Sequence, residues 1–171
     1  MKKRNVLRNT VIATIIALSN ATQDAHAQTG NSVNDIYKND ATGLCMNVAG
    51  PGSSSYLNRK ISQYECSRYF DREQIFISDP QQDRSRLLRF GGNDNLCWNT
   101  VDGTTNNPIP FLFNCMNGDQ GQMMTYQRSL RRLIMDKTNF CIEADAGGNY
   151  APIRLKPCSS SRNQQWTILK W

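Results

Sequence analysis

Apolar residues in this chain come in short runs. Leu44-Cys45-Met46-Asn47-Val48, Leu87-Leu88-Arg89-Phe90, Ile109-Pro110-Phe111-Leu112-Phe113, Leu133-Ile134-Met135 and Trp166-Thr167-Ile168-Leu169 are each three to five residues long. Clusters of Gly, Asn, Asp, Ser and Pro separate them, at 49–55, 91–95, 102–108, 117–121 and 146–149. Short runs punctuated this often predict many short strands in an all-β sandwich or barrel. No stretch keeps a 3.6-residue apolar period long enough to predict a helix of any length.

The runs also repeat. Gly43-Leu44-Cys45-Met46-Asn47-Val48, Asn95-Leu96-Cys97-Trp98-Asn99-Thr100 and Asn139-Phe140-Cys141-Ile142-Glu143-Ala144 each open a unit. A second cysteine follows in each, at Cys66, Cys115 and Cys158, and each unit closes on Gln74-Ile75-Phe76, Gln122-Met123-Met124 or Gln164-Gln165-Trp166. The leading cysteines are 52 and 44 residues apart and the closing glutamines 48 and 42. A period in the forties held at three landmarks is an internal repeat. Three copies favour a closed threefold barrel, because closure leaves no sheet edge exposed.

One apolar run stands outside this scheme. Val11 to Leu18 follows Lys2, Lys3, Arg4 and Arg8, and Ala25-His26-Ala27 offers a small-x-small cleavage site. That layout predicts a secretory signal peptide over residues 1–27, of bacterial type, with export through the periplasm. The run is far shorter than the roughly 20 residues that span a bilayer, so no membrane span is expected. Residues 28–35 read as a polar lead-in and 36–171 as one domain.

Export changes the meaning of composition. The chain carries 20 Lys and Arg against 14 Asp and Glu. The first 27 residues hold four of the bases and one of the acids, which leaves 16 against 13, or +3. That is too mild a charge to predict nucleic-acid binding. The single histidine, His26, lies in the predicted leader. A mature domain without histidine excludes Ser-His-Asp and Cys-His triads and histidine-containing zinc sites. No metal or cofactor is expected. Six cysteines in an exported chain read as disulfides, with fifteen possible pairings. The repeat favours Cys45–Cys66, Cys97–Cys115 and Cys141–Cys158, and bridges between repeats are the alternative.

Three units with Cys-x-[Asp/Asn] or its near equivalent, a second cysteine about twenty residues on and a Gln-x-Trp-like close resemble the ricin B-type (R-type) lectins. The likeness runs from Ile36 to Trp171. It implies a β-trefoil of three lobes of about 40–50 residues, with one disulfide inside each. It places Phe76, Met124 and Trp166 in the core, and Trp98 is read as core beside Met46 and Ile142. It also implies up to three sugar sites. In each, an acidic residue two after the first cysteine accepts bonds from sugar hydroxyls. An aromatic two before the second cysteine stacks on the sugar's C–H face. An Asn just before the Gln-x-Trp adds a further bond.

Every lobe departs from that pattern. The first has Asn47, Tyr64 and Glu73 beside Gln74. The second has Asn99 and Phe113, with Gly121 where Asn is expected. The third has Glu143, Asn163 and Gln164 but Lys156 where the ring should be, and Tyr150 in its loop is a substitute ring. The first lobe is the best candidate and the third is next. Arg128, Arg131, Arg132 and Lys137, with Arg84, Arg86 and Arg89, form a basic cluster. It reads as a solvated face, or more sharply as a patch for sialylated or sulfated glycans. The carboxylate pairs Glu65/Asp71 and Glu143/Asp145 do not make a glycosidase, because nothing places either pair across a cleft. The resemblance thus implies a secreted, non-catalytic domain for glycans on glycoproteins or glycolipids. It extends by analogy to the binding subunits of cytolethal distending toxins, whose partners are catalytic or accessory subunits. A trefoil that has lost sugar binding and holds a partner protein or inhibits an enzyme is the alternative.

Overall fold

The computed structural model describes residues 33–48, 55–69, 71–78, 86–100 and 108–170. The predicted leader lies outside them. The described residues hold twelve strands: β1 (Val33–Asn39), β2 (Cys45–Val48), β3 (Ile61–Tyr64), β4 (Phe76–Ser78), β5 (Arg86–Phe90), β6 (Asn93–Asn99), β7 (Phe111–Asn114), β8 (Met123–Gln127), β9 (Arg132–Met135), β10 (Phe140–Ala144), β11 (Ile153–Pro157) and β12 (Trp166–Lys170). Strand β1 starts inside the stretch read as a polar lead-in. Its first residues run antiparallel to β4, and Asp35, Ile36 and Tyr37 are buried.

Each repeat supplies four strands. Antiparallel pairs β12–β1, β1–β4, β4–β5, β5–β8 and β8–β9 form a barrel wall. The Trp166 N–H donates to the Arg131 carbonyl (2.7 Å) and joins β12 to the start of β9. The hairpins β2–β3, β6–β7 and β10–β11 extend from that wall, each joined through its leading cysteine region: Cys45 opposite Lys38, Cys97 opposite Arg89, Cys141 opposite Ile134. The hairpins also touch one another. Lys60 bridges to Phe111, Ser62 bridges to Pro152, and Leu155 N–H donates to the Pro108 carbonyl (3.1 Å). Six wall strands plus three mutually braced hairpins make a β-trefoil.

The core follows the period-2 pattern of the strands. Phe76, Met124 and Trp166 lie inside, as the resemblance implies, and Trp98, Met46 and Ile142 are also buried. Tyr37, Phe76 and Phe90 pack edge to face, with centroids 6.3 and 6.4 Å apart. Losing one such buried ring costs roughly 3–5 kcal/mol. The three bridges are local: Cys45–Cys66, Cys97–Cys115 and Cys141–Cys158, with separations of 21, 18 and 17 residues. Each closes one repeat's loop and contributes about 3 kcal/mol on the chain-entropy account.

Candidate functional site

One polar device recurs in all three lobes. A single 3₁₀ turn precedes the last strand of each repeat, at Arg72–Gln74, Gln120–Gln122 and Arg162–Gln164. Asp71, Asp119 and Ser161 cap these turns by accepting from the N–H groups of Glu73, Gly121 and Asn163. Each turn ends on a fully buried glutamine. Gln74 donates to the Glu65 carbonyl (2.8 Å) and accepts from Ser67 N–H (2.9 Å). Gln122 does the same with Asn114 and Met116 (2.8 Å each). Gln164 does so with Pro157 (2.9 Å) and Ser159 (2.7 Å). The amide thus clasps the residues on either side of the second cysteine. Gln74 and Gln164, read from the sequence as sugar contacts, are buried with both amide ends in use. They brace the loop around the second cysteine of each repeat.

In the first lobe, β2 and β3 pair with Asn47 opposite Ser62, so Tyr64 stands on the same face, one diagonal step away. Asn47, expected to bond a sugar, is only 3% exposed and donates to the carbonyl of its neighbour Val48 (2.9 Å). Tyr64 and Glu73 are half-buried. Burial pushes the Glu73 carboxyl above the usual carboxylate range, Asp71 adds to that, and Arg59 and a hydrogen bond with Tyr56 oppose it. Tyr150 completes the group. Its ring centroid is 5.0 Å from that of Tyr64, with planes at 50°. Expected as a substitute ring for the third lobe, Tyr150 packs against Tyr64 of the first. Its loop hydrogen-bonds to β3, with Tyr150 N–H donating to the Gln63 carbonyl (2.6 Å).

The second lobe has a different surface. Asn99 is nearly buried, opposite Phe111, and Phe113 packs edge to face on Phe111 at 6.2 Å. A side chain at Gly121 would place its Cβ 2.8 Å from the Thr100 carbonyl and 3.0 Å from Asn99 Oδ1. The missing third group is therefore also a packing requirement.

The third lobe is closed by its own charges. Lys156 Nζ lies 2.7 Å from Glu143 Oε1 and 3.5 Å from Asp145 Oδ1, and Arg154 reaches Asp145 at 2.6 Å. Gln164 donates to the other Glu143 oxygen (2.9 Å), and Asn163 donates to the Ala144 carbonyl (2.8 Å). Glu143 and Asn163 occupy the positions the sequence assigns them, but both Glu143 oxygens and the Asn163 side-chain N–H already have protein partners. The same contacts make the Glu143/Asp145 pair a salt-bridge network. The bond to Glu143 raises the Lys156 pKa, against a smaller opposing effect of burial. Sequence reasoning missed this network. Its signal was the register of Arg154 and Lys156 against Glu143 across a hairpin.

Members of the basic cluster differ in their surroundings. Arg131 pairs with Asp40 (3.0 Å), and the Arg132 Nε is buried. Arg84 lies outside the described residues. Among the described residues, no group of three or more His, Cys, Asp or Glu side chains could hold a metal ion, and no helix is long and apolar enough to cross a membrane.

A family model of the ricin-type beta-trefoil lectin domain matches residues 34–168. The chain belongs to this family. Domains of this lectin family are generally non-catalytic. No curated protein matches the chain in sequence. Among solved structures, the fold is similar to the designed threefold-symmetric protein ThreeFoil (TM-score 0.69, 14% identity, 81% of this chain and 99% of that one). It is similar to the agglutinin of Abrus precatorius (0.64, 20%, 83% and 48%), so the chain spans about half of that lectin. It is also similar to the β-trefoil lectin of the Vibrio vulnificus hemolysin/cytolysin, solved with N-acetyl-D-lactosamine bound (0.60, 14%, 83% and 96%). At these identities the likeness extends to the fold.

Proposed function

We propose that this R-type lectin domain is exported and binds cell-surface glycans through its first lobe. The observation that carries this reading is Tyr64, a half-buried ring on the same hairpin face as Asn47, with Glu73 on the adjoining turn. A fixed ring matches the C–H face of a sugar, and a carboxylate beside it accepts from hydroxyls. The third lobe has its carboxylate paired internally, and the second has no side chain at Gly121. One working site of three is the outcome. The leader over residues 1–27 and the three disulfides support an extracellular setting. The similarity to a hemolysin/cytolysin lectin supports a role as the binding part of a toxin, with other toxin subunits as partners. The internal pairing of the third lobe favours the alternative of a protein-binding trefoil.

A glycan array probed with the purified mature domain tests this. The domain is expected to bind a defined subset of glycans, and Tyr64→Ala to weaken that binding about tenfold, the worth of one stacked ring. A domain that binds no glycan and co-purifies with a partner protein would establish the alternative. Mass spectrometry of the exported protein is expected to give Gln28 as the first residue.

A further inference from the structure

Tyr150 is placed at some cost. It is 51% exposed, and its backbone has φ 67°, a left-handed conformation that a bulky L-residue rarely adopts. It nevertheless sits in a firmly anchored loop. Besides the Tyr150–Gln63 bond, Gln63 N–H donates to the Ala151 carbonyl (3.0 Å), Gln63 Nε2 to the Asp145 carbonyl (3.0 Å) and Glu65 N–H to Asn149 Oδ1 (2.9 Å). Ser62 also bridges to Pro152. Every one of these contacts ties a loop of the third repeat to β3 of the first or to Glu65 just beyond it. Their joint effect is to hold a solvent-facing ring beside Tyr64.

We propose that Tyr150 is a specificity-determining residue of the first-lobe site, which is a composite of the first and third repeats and reads two consecutive residues of an extended glycan. This rests on the first lobe being the sugar site. The geometry carries the rest. Rings 5.0 Å apart and tilted by 50° leave no space for a sugar between them. One ring leans against the other, with Tyr150 51% exposed and Tyr64 half-buried. A single pyranose stacked on Tyr64 leaves Tyr150 to meet the next residue of a longer chain. The rings are fixed before binding, so little ordering is lost when an extended chain docks.

The test is an array carrying galactose, N-acetylgalactosamine and N-acetylglucosamine singly, beside disaccharides and longer chains built from them. Tyr150→Gly is the informative variant, because glycine suits φ 67° and keeps the N–H to Gln63. It is expected to fold, with a melting temperature near that of the unaltered domain. It should bind disaccharides and longer chains about tenfold more weakly, with a clearly smaller loss on single residues. Tyr150→Phe is expected to keep the preference for longer chains. Equal loss on single residues and chains, or no loss on either, would overturn the two-residue site. If Tyr64→Ala also leaves all binding intact, the first-lobe reading itself fails.

Discussion

The glutamine clasp predicts a measurable threefold pattern in stability. Gln122→Met keeps the buried volume close to that of glutamine but removes both bonds, to Asn114 and Met116. Those two residues are exposed, so water compensates part of the loss. Taking about 1 kcal/mol for each bond, the substitution costs about 2 kcal/mol. Gln74→Met removes the equivalent pair and should cost the same. Gln164→Met removes a third bond, to an ionised oxygen of Glu143, and its cost rises to roughly 3–5 kcal/mol. For a domain of this size, the first two variants should melt roughly 5–10 °C lower. Urea denaturation of the three variants gives the free energies directly. A Gln122→Met domain within about 0.5 kcal/mol of the unaltered one would refute the clasp. Equal costs in all three would refute the extra bond to Glu143, even if the clasp held.

Other consequences follow from the same structure. Replacing Cys97 and Cys115 together by alanine opens one 18-residue loop and should cost about 3 kcal/mol, read by chemical denaturation. Trp166→Phe loses the indole bond to the Ile142 carbonyl (3.0 Å), whereas Trp98 Nε1 has no hydrogen-bond acceptor among the described residues. Trp166→Phe should therefore cost about 1 kcal/mol more than Trp98→Phe in parallel melts. Sugar binding should also depend on pH through Glu73. Burial and Asp71 raise its pKa, so it gains a proton at a higher pH than a free glutamate. Protonation removes acceptor capacity, so affinity should be constant at neutral pH and fall on acidification, starting above the ordinary glutamate range. Glu73→Gln should flatten that profile in calorimetric titrations.

How much of this was legible beforehand depends on whether the signal is local. The disulfide pairs lie in phase within single repeats, so the repeat favoured them, and the resemblance to R-type lectins placed Phe76, Met124 and Trp166 in the core. The turn-and-run pattern located β5 and β9 closely but passed over strands such as β3 and β11. In those, polar residues at alternate positions, such as Ser62, Arg154 and Lys156, dilute the apolar signal. The site was less legible, because a motif position names a residue and not its neighbours. Glu143 matched the expected carboxylate, but cross-strand register brings Lys156 onto it. Gln74 and Gln164 matched the motif, but burial turns them inward. Tyr150 belongs in sequence to the third lobe and in space to the first. That placement comes from hydrogen bonds between repeats, which no spacing within a repeat encodes.

The central claim, a sugar site in the first lobe, is tested most directly by amide chemical-shift mapping. The ¹⁵N-labelled domain would be titrated with the strongest glycan found on the array. The account predicts saturable shifts at Tyr64, Glu73 and Tyr150, with Glu143, Lys156 and Asn163 unmoved. Shifts centred on Glu143 and Asn163 instead, or none anywhere with any glycan, would contradict it.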